Sequence, residues 1–121
     1  MRRISFAKTR KQLEDGTKDV TRRIGWRDLQ PGTVLLAVNK VMGLRPGERA
    51  RVFGRIEVKS VRRERLYLIT DEDVKREGFP EMSRADFVAF FCAFARCGPD
   101  ALVTRIEFTT ELAQTQMNLG G

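Results

Sequence analysis

Hydrophobic and polar positions alternate along several short stretches of this chain and recur at helical spacing along two others. Arg2 to Ala7 alternates well enough for a short strand, with Ile4 and Phe6 on one face. Residues 9–15 fit a short helix stopped by Gly16, and Asp19 to Ile24 reads as extended. Gln30-Pro31-Gly32-Thr33 places proline and glycine where a type II turn prefers them. A strong strand follows from Val34 to Val41. After a turn around Pro46-Gly47, a long strand runs from Ala50 to Val61, where Val52, Gly54, Ile56 and Val58 alternate with Arg51, Phe53, Arg55, Glu57 and Lys59.

The pattern then changes period. Thr70 is placed to cap a helix, with Asp71 and Glu72 in its first turn and Asp73 at the capping-box position. Gly78 as the C′ residue and Pro80 beyond it end that helix near Glu77. Ser83 caps a second helix over about residues 84–97, in which Phe87, Val88, Phe91, Phe94 and Ala95 fall at helical spacing with Phe90 alongside. This stripe reads as the helix's buried side, packed against a sheet; the alternative is a face for a protein partner. Leu102 to Thr109 alternates as a last strand, and residues 112–121 read as a flexible tail. The elements predict one α+β domain over residues 1–111, with five to six strands and two or three short helices. The strands are expected to curl into a small barrel that protects the sheet edges.

Composition removes several chemistries. The 121 residues include no histidine, which excludes Ser-His-Asp and Cys-His mechanisms and histidine zinc sites. Cys92 and Cys97 form no disulfide framework and lack further metal-ligand partners, so neither a metal nor another cofactor is expected and a reducing cytoplasm fits. No apolar run is long enough for a membrane span, and the basic N-terminus lacks the apolar stretch of a signal peptide.

Charge adds a direction. The formal net charge is +7, but residues 1–63 carry 17 basic against 6 acidic residues, while residues 64–121 carry 6 against 10. Arginine outnumbers lysine 17 to 6, and its planar fork suits phosphate oxygens and base faces. A polyanion partner follows, most plausibly a nucleic acid, RNA or DNA, the bland alternative being a solvated surface. Arg22, Arg55, Arg62 and Arg63 are the expected basic rim. Trp26, beside Arg22, Arg23 and Arg27, is placed either to stack a base or to plug one end of the barrel.

Gly16-x-Lys18-x-x-Thr21-x-Arg23, after a short strand and helix, resembles the Gly-x-Lys-x-x-Thr-x-Arg signature of ASCH domains, small β-barrels of the PUA-like superfamily associated with RNA. Leu29 to Thr33, Ile69 to Asp73, Glu77-Gly78-Phe79 and Thr104 to Phe108 extend the likeness over most of residues 2–109, nearest to phage and prophage versions. The resemblance implies an RNA- or nucleotide-binding domain whose cleft is lined by the Gly16–Arg23 loop. It also implies an alternative: some small members are amidohydrolases that deacetylate N(4)-acetylcytidine with a Lys, a Thr and a Glu, here Lys18, Thr21 and Glu77. A ribonuclease acting through these residues belongs to the same alternative. Glu77 has a purely structural alternative, pairing with Lys75, Arg76 or Arg84. Two departures stand out: the long Lys40–Arg51 hairpin and the Phe-rich helix, either of which fits a reshaped pocket or a phage-encoded adaptor holding a protein partner. A monomer or weak dimer is expected.

Overall fold

The computed structural model describes residues 1–112. In chain order the elements are β1 (Arg3–Ser5), α1 (Arg10–Glu14), β2 (Val20–Arg23), β3 (Val34–Val38), β4 (Val52–Arg65), a 3-10 turn (Leu66–Leu68), α2 (Asp71–Arg76), α3 (Arg84–Ala95) and β5 (Leu102–Leu112). The expected tail beyond Leu112 lies outside the described residues; Leu112 itself ends β5.

The five strands make one mixed sheet in the order β1-β3-β4-β5-β2, with β1 parallel to β3 and every other pair antiparallel. The expected α+β architecture is therefore present, with five strands. Its hydrogen-bond ladder is not closed: β1 and β2 remain the two edges. A side chain spans them instead, as Arg23 Nη2 donates to the Ser5 carbonyl at 2.7 Å.

β4 runs four residues past the expected Val61 because β5 pairs along it from Gly54↔Leu112 to Arg65↔Leu102. A bulge between Val58 and Ser60 bends it on the way. At its start β4 is shorter than expected. Pairing with β3 stops at Val38↔Val52, and Asn39 seals the loop mouth by accepting from Lys40 N at 2.9 Å and Arg51 N at 2.7 Å. The Gln30–Thr33 turn forms as read, with Gly32 at φ +90° and Thr33 N donating to Gln30 O.

Thr70 caps α2 by accepting from Asp73 N at 3.1 Å. Asp73 does not return the bond as a capping box would, because its carboxylate is drawn to arginines on the sheet. Ser83 and Asp86 do form a reciprocal capping box on α3. That helix ends at Ala95, two residues early, with Arg96 in the left-handed conformation at φ +57°.

Two apolar clusters divide the core. The first joins β1, α1, β3, β4 and β5 through Ile4, Phe6, Leu13, Leu35, Ile56 and Phe108. The second lies under α3, where Phe87 and Phe91 meet Leu66, Ile69, Val74 and Val103. The aromatic stripe is thus only partly buried: Phe94 is 63% exposed.

Candidate functional site

β2 is four residues long and alternates its side chains between two environments. Thr21 and Arg23 share one face, as the alternation requires, and Arg23 Nε donates to Thr21 Oγ1 at 3.0 Å. Arg22 points the other way, into a row of arginines. Register places Arg22 beside Arg105 and Arg105 beside Arg62, so three cations stand abreast on adjacent strands. Unpaired, such neighbours repel. Carboxylates interleave them: Asp73 receives Arg22 at 2.6 Å and Arg105 at 2.6 and 3.1 Å, while Glu64 receives Arg22 at 2.7 Å and lies 3.6 Å from Arg62. Burial works to raise the Asp73 carboxyl, yet the bonds from Arg105 and Arg22 outweigh it and hold the group far below the usual carboxylate range.

Glu77 connects this network to the signature loop. Its side chain is buried, and Arg22 Nη1 donates to Oε2 at 3.2 Å while Lys18 Nζ donates to Oε1 at 3.0 Å. Lys18 also donates to the Glu77 carbonyl at 2.9 Å. Three backbone features bring the two together. Lys18 N donates to Gln12 O, Asp19 N donates to Arg76 O, and Gly78, at φ +103°, turns the chain at the end of α2 against Gln12. Burial lowers the Lys18 ammonium below its ordinary value; Glu77 pulls it back only in part, and Arg23 and Arg22 add to the lowering. Burial likewise brings the Arg23 guanidinium down to about 10, with Glu77 opposing.

Beside these groups opens a cavity of about 470 Å³. Lys18, Thr21, Arg22, Arg23 and Glu77 line its polar end, and Phe6, Phe79, Phe87, Phe90, Phe91 and Phe94 line its walls. Lys8, Lys40, Val41 and Met42 are also among its lining residues, so the loop after β3 reaches the cavity. The volume falls in the range of small-ligand sites, and a mostly apolar hollow with a few convergent polar groups is their usual make-up.

Solved structures share this arrangement of strands and helices. A protein from Enterococcus faecalis V583 described by the family model DUF984 aligns at a TM-score of 0.61 with 13% identity, covering 88% of this chain and 72% of that one. An ASCH domain from Lactobacillus crispatus JV V101 aligns at 0.55 with 16% identity, covering 86% and 70%. The fold is that of an ASCH domain. Hypothetical protein PH0355 aligns at 0.54 with 19% identity, covering 84% and 89%. No protein-family model and no curated protein matches the sequence. At these identities the likeness concerns the fold.

Within this ASCH fold, Lys18, Thr21, Arg23 and Glu77 converge on one cavity although Glu77 is 59 residues from Lys18. Lys18 and Thr21 are not hydrogen-bonded to each other; Thr21 accepts from Arg23 instead. Glu77 takes Lys18 and Arg22 as partners, not Lys75, Arg76 or Arg84. Arg76 goes to Asp19 and Glu107, and Arg84 to Asp71.

Other expected residues sit elsewhere. Arg22 is 3% exposed and bound by three carboxylates, so it is no part of a basic rim. Trp26 does not line the cavity: it packs half-buried on the first cluster, with the Arg2 guanidinium 3.9 Å from its ring centroid. Gly16 shapes the turn after α1 at φ +83° and is exposed, away from the cavity lining. Arg55 and Arg62 are exposed on β4, while Arg63 is half-buried and donates to Thr104 Oγ1 at 3.2 Å. Sequence reasoning missed Glu64, Asp73 and Arg105. Only strand register, which no local pattern encodes, puts Arg105 between Arg22 and Arg62. Cys92 and Cys97 are free and half-buried, and among the described residues no group of Cys, Asp and Glu is arranged to hold a metal ion.

Proposed function

We propose that this protein is an RNA- or nucleotide-binding ASCH-type domain whose ligand enters the cavity beside β2. The observation that carries this is the convergence of Lys18, Thr21, Arg23 and Glu77 at the polar end of a hollow walled by phenylalanines. A base is flat and apolar on its faces and polar on its edges, which matches such a hollow. Aromatic walls can stack it while buried polar groups read the edge. The exposed Arg55 and Arg62 and the excess of arginine over residues 1–63 would engage the flanking phosphates.

The test is fluorescence anisotropy with a short single-stranded RNA across a salt series. Binding should weaken at least tenfold between 50 and 200 mM salt if several phosphates are contacted, and free nucleotide should compete. No salt-sensitive binding to RNA or DNA would remove the reading.

The lowered Lys18 ammonium favours a second reading, a hydrolase acting on an N-acylated base. Lys18 as free amine would take the Thr21 hydroxyl proton, Thr21 Oγ1 would bond to the acyl carbon, and the C–N bond would break as Glu77 passes a proton to the leaving amine. Water would then release the acyl group as a carboxylic acid. Cytidine release from N(4)-acetylcytidine tests this directly, and an equally active Thr21→Ala variant would exclude Thr21 as nucleophile.

A further inference from the structure

Arg23 differs from the other cations at the polar end of the cavity. Lys18 is paired with Glu77, Arg22 with Asp73, Glu64 and Glu77, and Arg105, behind them, with Asp73. Among the described residues, Arg23 forms no ion pair. Its Nε donates to a neutral hydroxyl, Thr21 at 3.0 Å, and its Nη2 to a neutral carbonyl, Ser5 at 2.7 Å. Phe6 lies under the guanidinium, 5.1 Å from its carbon to the ring centroid. The Glu77 carboxylate lining the same cavity has both oxygens committed, one to Lys18 and one to Arg22.

A guanidinium offers five N–H donors in a fixed fork, and the Nη1 pair of Arg23 has no protein acceptor among the described residues. The Thr21 oxygen accepts from Arg23, and its own proton has no acceptor among the described residues either. Arg23 is half-buried, and a cation partly withdrawn from water and paired with no carboxylate gains from an acceptor outside the chain. Two donors therefore sit side by side at a positive spot, and carboxylate or phosphate oxygens are what a guanidinium fork takes best. Lys8, also lining the cavity and without an ion pair among the described residues, adds a second positive group.

We propose that the cavity takes an aromatic molecule bearing an anionic group, phosphate or carboxylate, whose oxygens receive Arg23 and Thr21 while its flat body lies against Phe79, Phe90 and Phe94. This rests on the reading of the cavity as the ligand site and narrows it: a nucleotide is preferred to the corresponding nucleoside.

Calorimetric titration of the full chain tests it with adenosine and cytidine, each with and without a 5′-phosphate, and with benzoate against benzyl alcohol. The 5′-phosphates should bind at least tenfold more tightly than their nucleosides. Arg23→Gln should reduce that advantage below threefold, Arg23→Lys should retain part of it, and Lys59→Ala, an exposed β4 cation paired with Glu57, should leave it intact. An advantage for benzoate with none for the nucleotides would assign the anion as a carboxylate, supporting the aromatic-anion site and overturning the nucleotide preference. Should Arg23→Gln fail to melt cooperatively, the wild-type preference together with Arg23→Lys decides. Nucleosides binding as tightly as nucleotides, with benzyl alcohol equal to benzoate, would overturn the proposal and leave the ligand site standing. A full phosphate advantage in Arg23→Gln would overturn it as well. No binding by any of these molecules would overturn both.

Discussion

Glu77 is the residue on which the polar end of the cavity depends, because one carboxylate compensates two buried cations. Replacing it by glutamine keeps the volume but leaves Lys18 without its counter-ion and takes one of three from Arg22. Removing one partner of a buried pair costs about 3–5 kcal/mol, so Glu77→Gln should lower the urea midpoint strongly, and unfolding by circular dichroism measures it. An unchanged midpoint would mean the pairs contribute nothing. Asp73 gives the pH dependence. Its carboxyl sits lower in the folded chain than its ordinary 3.8, so its contribution is complete above about pH 4 and is lost as acid approaches the depressed folded value. Asp73→Asn should be less stable than wild type at pH 7, with the gap narrowing as the pH falls well below 4. Lys18 carries the opposite sign. Its lowered ammonium is a burial penalty, present in full below the folded value and relieved as pH rises toward 10.5. In a ¹⁵N-lysine NMR titration Lys18 Nζ should therefore titrate below the ordinary lysine value of 10.5. The spacing of Lys18, Thr21 and Arg23 made these residues legible in the sequence. Arg22 was not legible as a buried residue, since alternation says which face a side chain takes but not which carboxylates a helix brings to that face.

The helices were legible largely through their ends. Thr70 and Ser83 start α2 and α3 as their side chains dictate, and Gly78 ends α2. Gly78 also governs packing. At φ +103° an added Cβ would lie 2.8 Å from Gln12 Cβ, so the glycine lets α1 close on the end of α2. Gly78→Ala should cost about 2–3 kcal/mol through the positive φ and the clash together. Ser83→Ala, which removes only a cap, should cost about 1 kcal/mol. Thermal melts of the two variants compare them, and equal costs would contradict the close approach. What helix periodicity hid was the role of α3. Phe87 and Phe91 are core, whereas Phe90 and Phe94 line the cavity without deep burial, and a residue count cannot separate a core face from a pocket wall beside it.

Over the whole molecule, fold class and strand count followed from alternation and turns, but strand order did not. The crossing of β1 to β3 and the pairing of β2 with β5 are long-range choices made by packing, and they create the gap between β1 and β2 beside the cavity. Charge behaves similarly. The 17 arginines include Arg22 and Arg105, neutralised inside by carboxylates, so a count of arginines overstates the surface available to a polyanion, whereas the net +7 already includes those carboxylates. The most direct test of the central claim is an NMR titration of ¹⁵N-labelled protein with a short single-stranded RNA. The account predicts that the largest shift changes fall on the amides of Lys18, Thr21, Arg23 and Glu77 and on the α3 residues facing the cavity. Changes confined to the exposed face of β4 and residues 43–51, with the cavity residues unmoved, would contradict it.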